Sequence, residues 1–218
     1  MPGFANREDA GRALAVRLAE IAPETPVVLA LPRGGVPVAL PVARALKAPL
    51  DLILVRKIGV PGQEEYAAGA VVDGDPPVTV FNPEALQAHG LTQAGLAPRI
   101  AEKLREIAKR REIYLGGRAP VDVKGRTAIV VDDGIATGAT VRAALQALRR
   151  RGPARIILAV PVAPEDTLKA LEPLVDDVVC LLVPRPFYAV GAHYRDFSQV
   201  DDAEVTRMMD AAQQWREP

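Results

Sequence analysis

The chain is short of most residues that announce a function. Its 218 residues include one cysteine, two histidines and only 4% aromatics, and 27 Lys+Arg are matched by 27 Asp+Glu. A lone Cys180 excludes an internal disulfide and a cysteine-rich zinc site. Zero formal net charge excludes a protein that coats nucleic acid, which takes a clear excess of basic residues. No run approaches the ~20 apolar residues of a bilayer-spanning helix, and residues 1–25 lack a signal-peptide core. These absences predict a chain of the reducing cytoplasm with no membrane partner. Neither a Gly-x-Gly-x-x-Gly turn after a strand nor a Gly-Lys-Ser/Thr phosphate loop is present.

What remains is an ordinary globular composition, 49% apolar and 25% charged. The length fits one large domain or a domain with a small appendage. Residues 7–21 repeat Ala10, Leu14, Leu18 and Ile21 at helical spacing. Continuous apolar runs follow at Val27–Leu31, Leu50–Val55, Arg126–Val131, Arg155–Val160 and Asp177–Val183, with helical stretches at Val36–Leu46, Gly138–Arg150 and Glu165–Leu171 between them. Strands that are apolar throughout belong to a sheet covered on both faces, so an α/β fold with a mostly parallel central sheet is expected.

Residues 73–122 break this rhythm and read as a helical insertion. It holds a possible strand at Val78–Phe81, a helix start at Asn82-Pro83-Glu84 and a helical pattern over Leu91–Leu115. Between Arg99 and Arg118 lie seven Lys/Arg, but Glu102, Glu106 and Glu112 interleave them. That mixture reads as a solvated helix face rather than a nucleic-acid surface. Residues 184–218 read as a small C-terminal appendage rich in aromatics and acids.

The strongest signal is TAIVVDDGIATGATV, Thr127–Val141. An apolar strand ends in adjacent carboxylates, Asp132 and Asp133, followed by a loop of small residues and a helix start. Ligands of open α/β sheets bind beyond the carboxyl ends of the strands, where this loop must lie. Backbone N–H groups at a helix N-terminus, with the hydroxyls of Thr137 and Thr140, make an anion cradle. The carboxylates would repel a phosphate and suit sugar hydroxyls instead. A sugar phosphate fits both halves.

VVDDGIATGAT resembles the phosphoribosyl pyrophosphate (PRPP) motif of type I phosphoribosyltransferases. The likeness covers roughly residues 27–72 and 124–160. It implies residues 1–183 as the α/β core, insertion included, and 184–218 as a hood. It implies that Asp132 and Asp133 hold the ribose hydroxyls, while Ala136, Thr137, Gly138, Ala139 and Thr140 cradle the 5′-phosphate. Gly134 stands where the family usually has an apolar residue. Arg33, Gly34 and Gly35 match the pyrophosphate loop, in which the family often has a cis peptide, expected here at Arg33-Gly34. Lys57 is expected to point at pyrophosphate, and Arg33, Lys57, Asp132 and Asp133 form the expected catalytic set. Lys57–Glu65 falls where the family has a mobile lid, with Glu64 and Glu65 facing either the nucleophile or solvent.

The implied reaction is Mg²⁺-dependent transfer of phosphoribose from PRPP to a nitrogenous acceptor, with no metal ligand assigned in the chain. Ala136 stands where members acting on 6-oxopurines carry Asp, which counts against hypoxanthine and guanine. Phe187, Tyr188 and His193 are the acceptor candidates, although the same aromatics would serve equally to close a small core. His89 reads as a surface residue. Dimers are common in the family, so a homodimer stays open. The alternative function is a regulator on the same fold that senses PRPP or binds RNA without efficient transfer.

Overall fold

A computed structural model describes residues 3–215. The last three residues of the expected appendage lie outside that range. Five parallel strands form the central sheet: β1 (Pro26–Ala30), β2 (Leu50–Leu52), β6 (Thr127–Val131), β7 (Arg155–Val162) and β8 (Asp177–Leu182), in the order β2-β1-β6-β7-β8. β1 pairs with β6 from Pro26–Thr127 to Ala30–Val131, so the two strands end level.

Alternate residues of each central strand feed two cores. Val28, Ala30, Ile129, Val131, Ile157 and Ala159 face one side. There they meet α1 (Arg7–Ile21) and α2 (Gly35–Leu46) through Leu14, Leu18, Val38 and Val42. Val27, Leu29, Ala128, Val130, Ile156 and Leu158 face the other side. α5 (Ala139–Arg150) and α6 (Glu165–Leu171) cover them with Val141, Leu145, Leu148 and Leu168. Full burial of each large aliphatic side chain is worth roughly 1.5–3 kcal/mol, so the double cover is the main source of stability.

The expected strand Leu50–Val55 is two strands. β2 stops at Leu52, and β3 (Val55–Val60) opens a separate antiparallel sheet with β4 (Gln63–Val72) and β5 (Val78–Phe81). The expected loop over Lys57–Glu65 is therefore the hairpin β3–β4, turning at Pro61-Gly62, where Gly62 has a φ of 78°. Residues 61–66 are all exposed, which is why this segment lacks the apolar signature of a strand. The insertion continues with α3 (Pro83–Ala88), capped by Asn82 accepting from the Ala85 N–H, and α4 (Ala97–Leu115). α4 begins later than its apolar pattern, because Gly95 and Pro98 confine residues 92–96 to a turn. Among the described residues no helix is long and apolar enough to cross a membrane.

The C-terminal segment divides in two. Residues 187–198 lie across the end of the central sheet, where Tyr194 and Val190 join Phe4, Ala10 and Val162 in a small third core. α7 (Asp202–Ala211) instead packs on α2 and α4 with Val205 and Met209 buried.

A buried ionic cluster joins both sheets to α4. Arg111 donates to Asp73 at 2.6 Å and to both carboxylate oxygens of Asp51 at 3.2 Å. Asp73 also accepts from the Leu54 N–H, and Asp51 from the Val121 N–H. Burial pushes the Asp73 carboxyl up to about 6, the Arg111 charge opposing it. A raised carboxyl pKa favours the protonated folded state, so this group adds stability as pH falls from 7 through 6 toward 4. Urea unfolding at stepped pH is expected to show that slope in the wild type and to show it reduced in Asp73→Asn, the raised Asp132 and Asp133 carboxyls supplying the remainder. Arg111→Met, which strands two buried carboxyls, is expected to destabilise by about 3–5 kcal/mol at pH 7.

Candidate functional site

The strand order places a topological switch between β1 and β6. From β1 the chain moves outward to β2, and from β6 it moves the other way to β7 and β8. The loops leaving the two strands flank that switch point, the usual ligand position in such sheets. Leu31 donates to the Val131 carbonyl at 2.9 Å, which holds the loops together at their roots. A side chain on Gly34 would collide with Asp133 Oδ2, and one on Gly35 would lie 2.7 Å from the Val131 carbonyl oxygen. Only glycines let the β1 loop lie against the acid pair this closely. The cis peptide is between Pro32 and Arg33, one bond before the expected position.

Gly138 supplies the left-handed residue that turns the β6 loop into α5, with a φ of 74°. Around it Ala136, Thr137, Ala139 and Thr140 are exposed, and the Ala136 carbonyl accepts from Thr167 Oγ1 at 2.8 Å. The missing side chain at Gly134 also has a structural cause. A Cβ there would strike Val190 at 2.5 Å and Val162 at 2.9 Å, so glycine leaves room for the C-terminal segment.

Two adjacent carboxyls leaving a buried strand resist ionisation. Burial, then the neighbouring Asp133 charge, holds the Asp132 carboxyl well above the usual carboxylate range. Burial raises Asp133 too, but Arg7 opposes the shift through an ion pair of 2.7 Å from Nε to Oδ2. The Asp133 carbonyl accepts from the Tyr194 hydroxyl at 2.5 Å. Across the crevice, Arg33 lies 3.7 Å from Asp202 at the start of α7.

Lys57 lies beside the loop between β6 and α5. A cleft of about 680 Å³ runs between the antiparallel sheet and α5, and Lys57 lines it with Thr137, Ala139, Thr140 and Phe81. Arg33, Asp132 and Asp133 are not among its lining residues. Lys57 thus lines a cavity together with the loop between β6 and α5, because β3 carries it into the antiparallel sheet.

The C-terminal aromatics split as well. Phe187 stacks on His193 with centroids 6.0 Å apart, and His193 is buried with no partner for Nε2 among the described residues. Tyr188 is 81% exposed and takes no part in that cluster. Glu64 and Glu65 are both exposed, and Glu64 accepts a two-pronged hydrogen bond from Arg99 of α4 at 2.8 and 2.9 Å. His89 is half-buried against the Tyr66 ring. Sequence reasoning missed Arg7, Tyr194, Asp202 and Phe81. One local hint marked Arg7, a cation in a first helical turn where Glu8 and Asp9 follow the usual acidic preference.

No group of three or more His, Cys, Asp or Glu that could hold a metal ion occurs among the described residues.

Comparison with known proteins agrees with this layout. TT1426 from Thermus thermophilus, known from its crystal structure, superposes with a TM-score of 0.84 at 44% identity, covering 95% of this chain and 97% of that one. A Mycobacterium tuberculosis protein provisionally named a phosphoribosyl transferase is 46% identical over 209 residues, 96% of this chain and 47% of its own length. A Roseiflexus protein named bifunctional protein PyrR is 43% identical over 89 residues, 31% of this chain and 49% of its own. The chain thus spans about half the length of the curated relatives it matches. The family described as the phosphoribosyl transferase domain matches residues 5–192, and with that extent of match the chain belongs to it.

Proposed function

We propose that the chain binds PRPP in the crevice between the β1 and β6 loops and transfers its phosphoribosyl group to a nitrogenous acceptor. The observation that carries this reading is the contact of Gly34 and Gly35 with the acid pair, beside an open helix N-terminus bearing Thr137 and Thr140. Diol acceptors, phosphate donors and a second glycine loop lie within the reach of one sugar phosphate.

Each group has a role in this reading. N–H groups of residues 136–140 and the two threonine hydroxyls hold the 5′-phosphate, with Lys57 adding charge from the cleft side. Asp132 and Asp133 accept from the ribose 2′- and 3′-hydroxyls. The β1 loop receives pyrophosphate on its backbone N–H groups, with Arg33 as the cation. Mg²⁺, held by PRPP oxygens, would screen the phosphate charge. As the C1′–O bond breaks, its electron pair leaves with pyrophosphate, and Arg33 stabilises the growing negative charge. A ring nitrogen of the acceptor forms the new bond to C1′ from the opposite face and gives up its proton. His193 Nε2, buried with no partner among the described residues, is a polar atom of the C-terminal segment suited to recognise that acceptor, and Phe187 supplies the apolar wall.

Calorimetric titration of PRPP with Mg²⁺ is expected to show one site per chain. Asp132→Asn combined with Asp133→Asn is expected to abolish it, and unchanged affinity in that variant would overturn the site. Gly34→Ala, whose Cβ meets Asp133 Oδ2, is expected to weaken PRPP at least about tenfold through a steric clash at the crevice. Pyrophosphate release screened across purines, pyrimidines and small amines is expected to identify an acceptor. With that acceptor, His193→Ala is expected to raise its KM while PRPP affinity holds. A protein that binds PRPP but releases no pyrophosphate with any acceptor would instead be a sensor.

A further inference from the structure

Arg7 is the residue in contact with the acid pair to which neither the motif nor the reading above gives a task. Its placement is costly for the helix that carries it. The N-terminus of α1 repels cations, and Asn6 already caps it by accepting from the Asp9 N–H. The side chain instead leaves the helix and is 11% exposed. Nε donates to Asp133 Oδ2 at 2.7 Å, Nη1 donates to the Ser198 carbonyl at 2.8 Å, and the guanidinium lies 3.8 Å over the Phe197 ring. The planar head is therefore fixed on an edge, at a tip and across a face. Phe197 in turn packs on Tyr194, whose hydroxyl donates to the Asp133 carbonyl.

We propose that Arg7 is a positioning residue for the ribose site: clasped by Phe197 and Ser198, it fixes the Asp133 carboxylate as a hydrogen-bond acceptor for a vicinal diol. The inference rests on the PRPP reading above. Asp133 Oδ2 is held from one side by Arg7 and bounded by Gly34 on another, which leaves Oδ1 for the ligand. Asp132 differs, since its Oδ1 accepts from the Asp133 N–H and Arg7 acts on it only through space. The charged and titratable groups facing Asp133 are Asp132 beside it, Arg7 from α1 and Tyr194 from the C-terminal segment, with Asp196 reaching the far side of Arg7. Arg7 is the one cation in that set, and without it two adjacent carboxyls face each other uncompensated. A carboxyl that keeps its proton has one oxygen committed as an O–H donor, so it offers the diol a weaker acceptor than the carboxylate does.

The test is PRPP titration with Mg²⁺ between about pH 5.5 and 8.5 on the wild type, Arg7→Met and Arg7→Lys. Arg7→Met is expected to weaken PRPP about tenfold near pH 6, with the loss shrinking as pH rises and Asp133 ionises unaided. Arg7→Lys, which restores the charge but not the stacked fork, is expected to recover most of the affinity at low pH. Carbon-13 NMR of the Asp133 carboxyl in ligand-free protein reads the same effect without PRPP, as an upward shift of its titration midpoint in Arg7→Met. If Arg7→Met does not fold, the same two measurements on Arg7→Gln decide, since the amide keeps a polar contact but removes the charge that holds the Asp133 midpoint down. Equal affinity, equal pH profile and an unmoved midpoint would overturn the role of Arg7. Failure of the wild type to bind PRPP at any pH would overturn the site reading and the inference together.

Discussion

Two carboxyls in sequence at the end of a fully buried strand are an electrostatic liability. Much of the molecule around them can be understood as its management. Asp132 and Asp133 leave β6 with all five strand residues covered, so neither side chain gains full access to water. Burial disfavours both charges, and each charge disfavours the other. The fold answers with a cation from α1, while the Tyr194 hydroxyl fixes the Asp133 backbone carbonyl and a loop without side chains lies against the pair. Without glycine at 34 and 35 that loop would have to retreat, and a ligand bridging the two loops would lose one wall.

The same need explains why both ends of the chain converge on one site. Phe4 donates its N–H to the His193 carbonyl at 2.9 Å and packs on Tyr194, so the N-terminal segment and residues 187–198 form a single pad beside Asp133. α7 brings Asp202 toward Arg33 while also accepting from Arg110 and Tyr114 of α4. Charge that the loops cannot neutralise locally is met in part from distant parts of the chain, by Arg7 at Asp133 and by Asp202 at Arg33.

How much of this was legible in the sequence depends on the range of the interaction. The central strands are apolar on both faces, and that pattern is visible residue by residue; β1, β6 and β8 lie within a residue or two of their expected bounds. The β6 loop was legible because its small residues, acids and threonines are contiguous. The hairpin β3–β4 was not, since its tip is wet on both faces and Lys57–Glu65 carries no strand-like alternation. The cis bond at Pro32–Arg33, the exposure of Tyr188 and the turning of Lys57 toward α5 have no local signature. Arg7 is paired across 126 positions, a separation at which no spacing rule operates.

The insertion acquires a purpose from where it is tied. α4 is anchored to the core by the buried Arg111 cluster, and from that fixed base it braces the hairpin through Arg99–Glu64 and Arg56–Glu106. The two kinds of contact differ in strength for a physical reason. The Arg111 cluster is buried, and breaking it strands charges in the interior. The contacts to the hairpin are partly exposed, and pairs of that kind are worth ~0–1 kcal/mol. The antiparallel sheet that walls the 680 Å³ cleft is seated in the cores by Ile58, Val71 and Val72, so these exposed pairs add only modestly at the hairpin beyond it. The loop between β6 and α5 lies between that sheet and the acid pair, so the two sides of the proposed site are held by different parts of the fold.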